Sequence, residues 1–235
     1  MIGAKKSFSL THVQYDESDG LVGELLAFFS LLPVLYTVCL ATHAVFGRDL
    51  RVAFVLLGGV LTSGLCTILK MIIQEPRPNK DLLLLVVPNS QVHGMPSNHS
   101  SYMTFIAVFS ILFAMRRCGN MEGPSAFVKQ TKRWLVPTVC TFTAIICCYS
   151  RIHLGYHTNS QVGVGAIFGW IMAIIWYTLY ERYYITQWAP ALEQLLNVWD
   201  FRSPHESNDI GYAVKKSLDA RRKIFKQRQN GWKRE

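Results

Sequence analysis

Three short stretches of the chain carry the side chains suited to holding and attacking a phosphate. Lys70 lies about one turn from the end of an apolar run, and Arg77 follows seven residues later between Pro76 and Pro78. The prolines disfavour helix, so Arg77 sits in a stiff segment and loses less entropy when its long side chain is ordered. Its planar guanidinium suits two oxygens of one phosphate, and the Lys70 ammonium supplies a compact charge. The second stretch is Gly94-Met-Pro-Ser-Asn-His-Ser100. Ser97 and Asn98 are good helix N-caps, and a helix starting here turns free backbone N–H groups toward an anion, with His99 in its first turn. The third runs from Tyr149 to Gln161, with Arg151 six residues before His157 and His157 four before Gln161. Once a helix has begun, His157 and Gln161 share a face, so Gln161 can accept from one ring nitrogen and orient the other. Each residue has an ordinary reading alone: Lys70 as a snorkelling lysine, His99 as an interfacial polar group. Together they make three cations, two histidines and a helix N-terminus, a set with no equally good ordinary reading.

The elements that must bring these stretches together are membrane helices. The chain has 235 residues, half of them hydrophobic and 17% charged, with a mean hydropathy of +0.19. The apolar residues gather in long runs, which excludes a disordered chain, a collagen and a small disulfide scaffold. Five spans are expected: about Leu25–His43 (containing Pro33), Val52–Ile73, Ser100–Met115, Trp134–Tyr149 and Val162–Tyr180. The third and fourth fall short of the roughly 20 residues a full span needs and must borrow flanking residues or cross a thin region. Gly165 and Gly169 in the fifth have the small-xxx-small spacing of closely packed helices, with a chance pair of glycines as the equal alternative. Of the six cysteines, five lie in apolar runs without metal-binding or disulfide spacing, and they read as buried small hydrophobes.

Five spans put the N-terminus and the 74–98 and 150–161 loops on one side, with six Lys/Arg, and the other loops and the tail on the opposite side, with eighteen. Positive charge stays in the cytosol, so the three stretches face the lumen or exterior. The expected organisation is a lumenal segment (residues 1–20), a membrane domain (21–180) and a cytosolic basic tail (181–235). The tail has Trp188, Leu192, Leu195 and Trp199 at helical spacing, followed by a Lys/Arg cluster that suits an anionic membrane surface. The net charge of +9 comes without a nucleic-acid-binding motif, so no nucleic-acid partner is expected. Nothing at the start of the chain reads as a removable signal peptide.

The three stretches resemble the motifs of the type 2 phosphatidic acid phosphatase (PAP2) superfamily, whose pattern is Lys-x6-Arg-Pro, Pro-Ser-Gly-His and Ser-Arg-x5-His-x3-Asp. Lys70-x6-Arg77-Pro78 matches throughout, Asn98 replaces the glycine of the second motif, and Gln161 replaces the aspartate of the third. The wording around Ile73-Gln-Glu-Pro-Arg-Pro78, Gly94–His99 and Tyr156–Gln161, with the early Leu10-Thr-His-Val-Gln-Tyr15, resembles the dolichyl diphosphate phosphatase branch.

The resemblance implies an all-α, polytopic bundle of about five spans, of the PAP2/haloperoxidase type. It also implies an endoplasmic reticulum membrane enzyme that hydrolyses dolichyl diphosphate without metal or cofactor, recycling the carrier used in N-glycosylation. By the same resemblance His157 is the nucleophile and forms a phospho-histidine. His99 is the general acid, then base. Lys70, Arg77, Ser97, Asn98 and Arg151 hold the phosphate. Gln161 orients His157 but, unlike aspartate, brings no charge. Glu75 and Asp81 lie on the same side, neither an obvious replacement. A diphosphate asks less of acid and nucleophile, because its leaving group is a phosphate monoester with a pKa near ~6 rather than an alkoxide. The competing readings are a phosphatase for phosphatidate, a sphingoid phosphate or another polyprenyl diphosphate, and a catalytically inactive membrane scaffold.

Overall fold

The computed structural model describes residues 5–8, 13–47, 49–78, 93–116 and 126–188. A small antiparallel hairpin, β1 (Lys5–Phe8) and β2 (Val13–Asp16), precedes six helices: α1 (Gly20–Phe29), α2 (Leu32–Phe46), α3 (Leu50–Ile73), α4 (Asn98–Arg116), α5 (Ala126–His153) and α6 (Asn159–Leu179). Among the described residues, five helical stretches are long and apolar enough to cross a membrane: Glu17–Phe46, Leu50–Ile73, Asn98–Arg116, Arg133–His153 and Asn159–Tyr184. The membrane part is therefore the expected five-span helical bundle, and the hairpin is an addition that the polar 1–20 segment did not announce.

The first span is not continuous. It breaks at Ser30 and Leu31, and Pro33 falls in the first turn of α2. Proline cannot donate to the carbonyl four residues back and its ring clashes with it, whereas in a first turn its missing N–H costs nothing. A sequence reading that carries one helix through Pro33 overlooks this cheaper arrangement. The third and fourth spans gain their length at polar ends. Asn98 and His99 belong to α4, and Ser150 to His153 to α5. The backbone hydrogen-bond ladder runs on past the last apolar residue, so the residues of interest sit in terminal helical turns.

α4 is the central helix, packed against α6, α5, α3 and α2. Its approach to α6 is set by the two glycines. A Cβ on Gly165 would lie 2.7 Å from the Ser97 carbonyl oxygen, and one on Gly169 would collide with the Ser101 carbonyl. The small-xxx-small pair is thus a true close contact, the way helices gain packing where lipid offers no hydrophobic drive. At the opposite end from Ser97, Phe54 stacks on Trp176 with ring centroids 4.7 Å apart, and Trp176 Nε1 donates to the Phe54 carbonyl at 2.9 Å. Outward-facing Leu57, Val60, Phe142, Ile145, Ile167 and Trp170 are exposed, as a lipid-facing surface requires.

Cys66, Cys140 and Cys147 are buried free thiols, Cys148 is half-buried and Cys39 is exposed on the apolar exterior. Cys118 lies outside the described residues. The helical backbone continues past residue 180 as a π-helical segment to Trp188. The remainder of the expected tail, with Leu192, Leu195, Trp199 and the basic cluster, lies outside the described residues.

Candidate active site

Four chain segments meet at one end of the bundle. Lys70 is buried in the last turn of α3. The helix stops three residues on, where Gln74 takes a left-handed conformation (φ 54°) and its N–H bonds the Lys70 carbonyl at 3.0 Å. Glu75 to Pro78 follow outside any helix. Pro76 bridges His93 in antiparallel fashion, and the Gly94 N–H donates to the Glu75 carbonyl at 2.7 Å. Arg77 is thus held by a segment pinned to the approach of α4. Burial draws its pKa below the usual guanidinium value, while Tyr156 pushes it back up; the guanidinium remains charged.

Ser97 is fully buried at the start of α4. It is held by the Ser101 N–H at 3.0 Å and the Ser101 hydroxyl at 2.8 Å, both donating to its carbonyl. Its own N–H donates to the Gln161 carbonyl at 3.1 Å, which ties the tip of α4 to α6. Asn98 turns its side-chain nitrogen to Thr67 Oγ1 on α3 at 3.1 Å, and its Oδ1 is buried with no partner among the described residues. His99 follows, within electrostatic reach of Arg151, His157, Lys70 and Arg77.

Arg151, near the end of α5, is 5% exposed. Nη1 donates to Ser30 Oγ at 2.6 Å, and the guanidinium lies 4.0 Å above the Tyr156 ring centroid. Its Nε is buried without a partner among the described residues. Tyr156 is itself fixed, its hydroxyl accepting from the Gln14 N–H of β2 at 2.9 Å. The break in the first span thus delivers a hydroxyl to the site, and the hairpin braces the ring on which the arginine rests. The turn after α5, with Gly155 at φ 72°, folds the Tyr156 and His157 N–H groups back onto the Arg151 carbonyl, each at 3.1 Å. α6 then starts with a capping box between Thr158 and Gln161.

His157 is 2% exposed. Its Nδ1 lies 3.1 Å from Gln161 Oε1. The Gln161 amide is held at both ends, with Nε2 donating to Glu75 Oε1 at 3.0 Å and to the Pro76 carbonyl at 2.9 Å. An amide nitrogen facing two acceptors leaves its oxygen toward the ring, where the Thr158 N–H also reaches it at 3.4 Å. His157 Nδ1 must then carry its hydrogen, which leaves the lone pair on Nε2. Burial first, and then Arg151, Arg77 and Lys70, hold the His157 pKa well below 6.5, against the opposing Gln161 bond. The ring is neutral at pH 7, the state a nitrogen nucleophile needs.

Of the sequence-predicted residues, Lys70, Arg77, His99, Arg151 and His157 come together, with Ser97 and Gln161 packed against them and Asn98 directed at Thr67. Ser30 was not singled out, and Gly94 and Tyr156 stood in the motifs without a role of their own. A Cβ on Gly94 would strike the Gln161 amide, so glycine there makes room for the side chain that orients His157. Ser30 carries no sequence signal except its place just ahead of Pro33. His93 and His153 lie outside this set, His93 in the Pro76 bridge and His153 Nε2 3.2 Å from Asp19 Oδ2.

The chain belongs to the PAP2 superfamily, whose family model matches residues 51–185. It is 38% identical over 172 residues to dolichyldiphosphatase 1 of Homo sapiens, covering 72% of this chain and 69% of that one. The Dictyostelium discoideum dolichyldiphosphatase 1 is 34% identical over 175 residues (72% and 69% covered). The Arabidopsis thaliana lipid phosphate phosphatase gamma is 32% identical over 173 residues (73% and 72%). The fold matches the crystal structure of a transmembrane PAP2-type phosphatidylglycerolphosphate phosphatase from Bacillus subtilis, with a TM-score of 0.53 at 19% identity, over 69% of this chain and 78% of that one.

Proposed function

We propose that the protein hydrolyses dolichyl diphosphate to dolichyl phosphate and inorganic phosphate in the endoplasmic reticulum membrane, with its site lumenal and its tail cytosolic. The observation that carries this reading is the convergence of two imidazoles with Lys70, Arg77 and Arg151 at one end of a membrane bundle. Relatives named dolichyldiphosphatase 1 supply the substrate, and the excess of Lys/Arg on the other side supplies the orientation.

In this mechanism the three cations and the Ser97 turn hold the terminal phosphoryl oxygens and stabilise the charge that grows on them. His157 Nε2 forms a bond to the terminal phosphorus as the bond to the bridging oxygen breaks. Protonated His99 gives its proton to that oxygen, and dolichyl phosphate leaves. Water then attacks the phospho-histidine, His99 takes its proton, and the N–P bond breaks to release phosphate. Gln161 and not aspartate holds His157, which suits the weakly basic leaving group of a diphosphate.

The test is phosphate release from dolichyl diphosphate by purified protein in detergent with EDTA present. Activity should persist in EDTA, and His157→Ala and His99→Ala should each lower kcat by at least ~1,000-fold. Loss of turnover on chelation overturns the mechanism. The second reading, a phosphatase for phosphatidate or a related lipid monophosphate, draws on the likeness to a lipid phosphate phosphatase. Equal turnover of phosphatidate and dolichyl diphosphate would favour it.

A further inference from the structure

We propose that Glu75 is a positioning residue for His157, acting through Gln161. Its carboxylate fixes the amide with the oxygen toward the imidazole. It also sets, on the far side of that amide, the negative charge that an aspartate at 161 would have brought directly. The inference rests on His157 being the nucleophile.

The geometry is a three-residue chain: Glu75 Oε1 to Gln161 Nε2 at 3.0 Å, and Gln161 Oε1 to His157 Nδ1 at 3.1 Å. Glu75 Oε1 and the Pro76 carbonyl occupy both N–H directions of the amide, so turning it over would set its oxygen against two acceptors. The groups acting on His157 from the surrounding elements are Lys70 of α3, Arg77 of the segment after it, His99 of α4 and Arg151 of α5. None of them is an anion, and a positive charge developing on His157 meets repulsion from Arg151, Arg77 and Lys70. Glu75 adds a carboxylate to this set, and hydrogen bonds in series polarise one another where water is excluded. The placement is economical: Glu75 stands two residues before Arg77 on the segment pinned to His93 and Gly94. One stiff stretch therefore carries both a phosphate clamp and the anchor of the nucleophile's orienting amide.

The test uses the full-length protein in detergent micelles. At neutral pH, nitrogen-15 NMR of His157 should show the Nδ1–H tautomer in the parent. In Glu75→Ala a share of roughly a tenth or more should move to Nε2–H as the amide loses an anchor. Glu75→Gln keeps an acceptor but no charge. It should lower kcat on dolichyl diphosphate about 10-fold with KM within ~2-fold, and by less than about 3-fold in a Gln161→Asp background, where the charge already adjoins the ring. Glu75→Asp, which retains the charge, should stay nearer the parent than Glu75→Gln. An unchanged tautomer in Glu75→Ala, or the same kcat loss in both backgrounds, overturns the inference. The tautomer readout needs no substrate, so a parent that releases no phosphate but shows the expected tautomer change would sink the proposed function alone.

Discussion

His157 sits among three cations, and what keeps it useful is that it need not be charged at rest. Burial and the neighbouring Arg151, Arg77 and Lys70 depress its pKa below 6.5, which has a cost in stability with a defined sign. The unfolded chain takes up a proton near pH 6.5 that the folded chain refuses. The stability tied to neutral His157 is therefore complete above that pH and is lost as pH falls toward the folded-state value. The melting temperature in detergent should drop between pH 7.5 and 5.5, and His157→Asn should narrow the drop. Arg151 gives a second prediction at this scale. Its contact with Ser30 and its stack on Tyr156 use a flat fork that lysine lacks. Arg151→Lys should reduce kcat/KM by about 100-fold or more, measured by phosphate release. The cations and histidines were legible in the sequence because polar groups beside apolar runs stand out. Ser30 and Gly94 were not, because a serine or a glycine acquires its role only from what lies across the fold.

At the scale of elements, α4 and α6 are the pair on which the site depends. The Ser97 N–H to Gln161 carbonyl bond joins their starts, and Gly165 and Gly169 let them close. Gly169→Ala forces its methyl against the Ser101 carbonyl and should cost about 1–3 kcal/mol. A lowered melting temperature in detergent would register it, with a loss of activity as Gln161 is drawn from Ser97. The five spans were legible from hydropathy alone, since length and apolar composition decide membrane helices. The break at Ser30 and Leu31 was not, because a proline tolerated inside a helix and one starting a new helix look alike in sequence. Nor was the hairpin, whose four-residue strands gain their support from packing of Val13 and Tyr15 near Leu26, Ala27 and Leu154.

For the whole molecule, the arrangement of charge predicts which way the bundle faces. A glycosylation acceptor fused to the N-terminus should be modified in microsomes, and one fused to the C-terminus should not. The reverse pattern would place the site in the cytosol. The architecture also has a consequence for biogenesis. Ser30 and Arg151 lie 121 positions apart yet bond directly, and Gln161 reaches back to Glu75 across 86. During synthesis the early helices enter the bilayer long before their counterparts leave the ribosome. A nascent chain halted at any earlier helix is therefore silent, and hydrolytic competence arrives in one step with the last helix. The membrane is spared a half-made hydrolase.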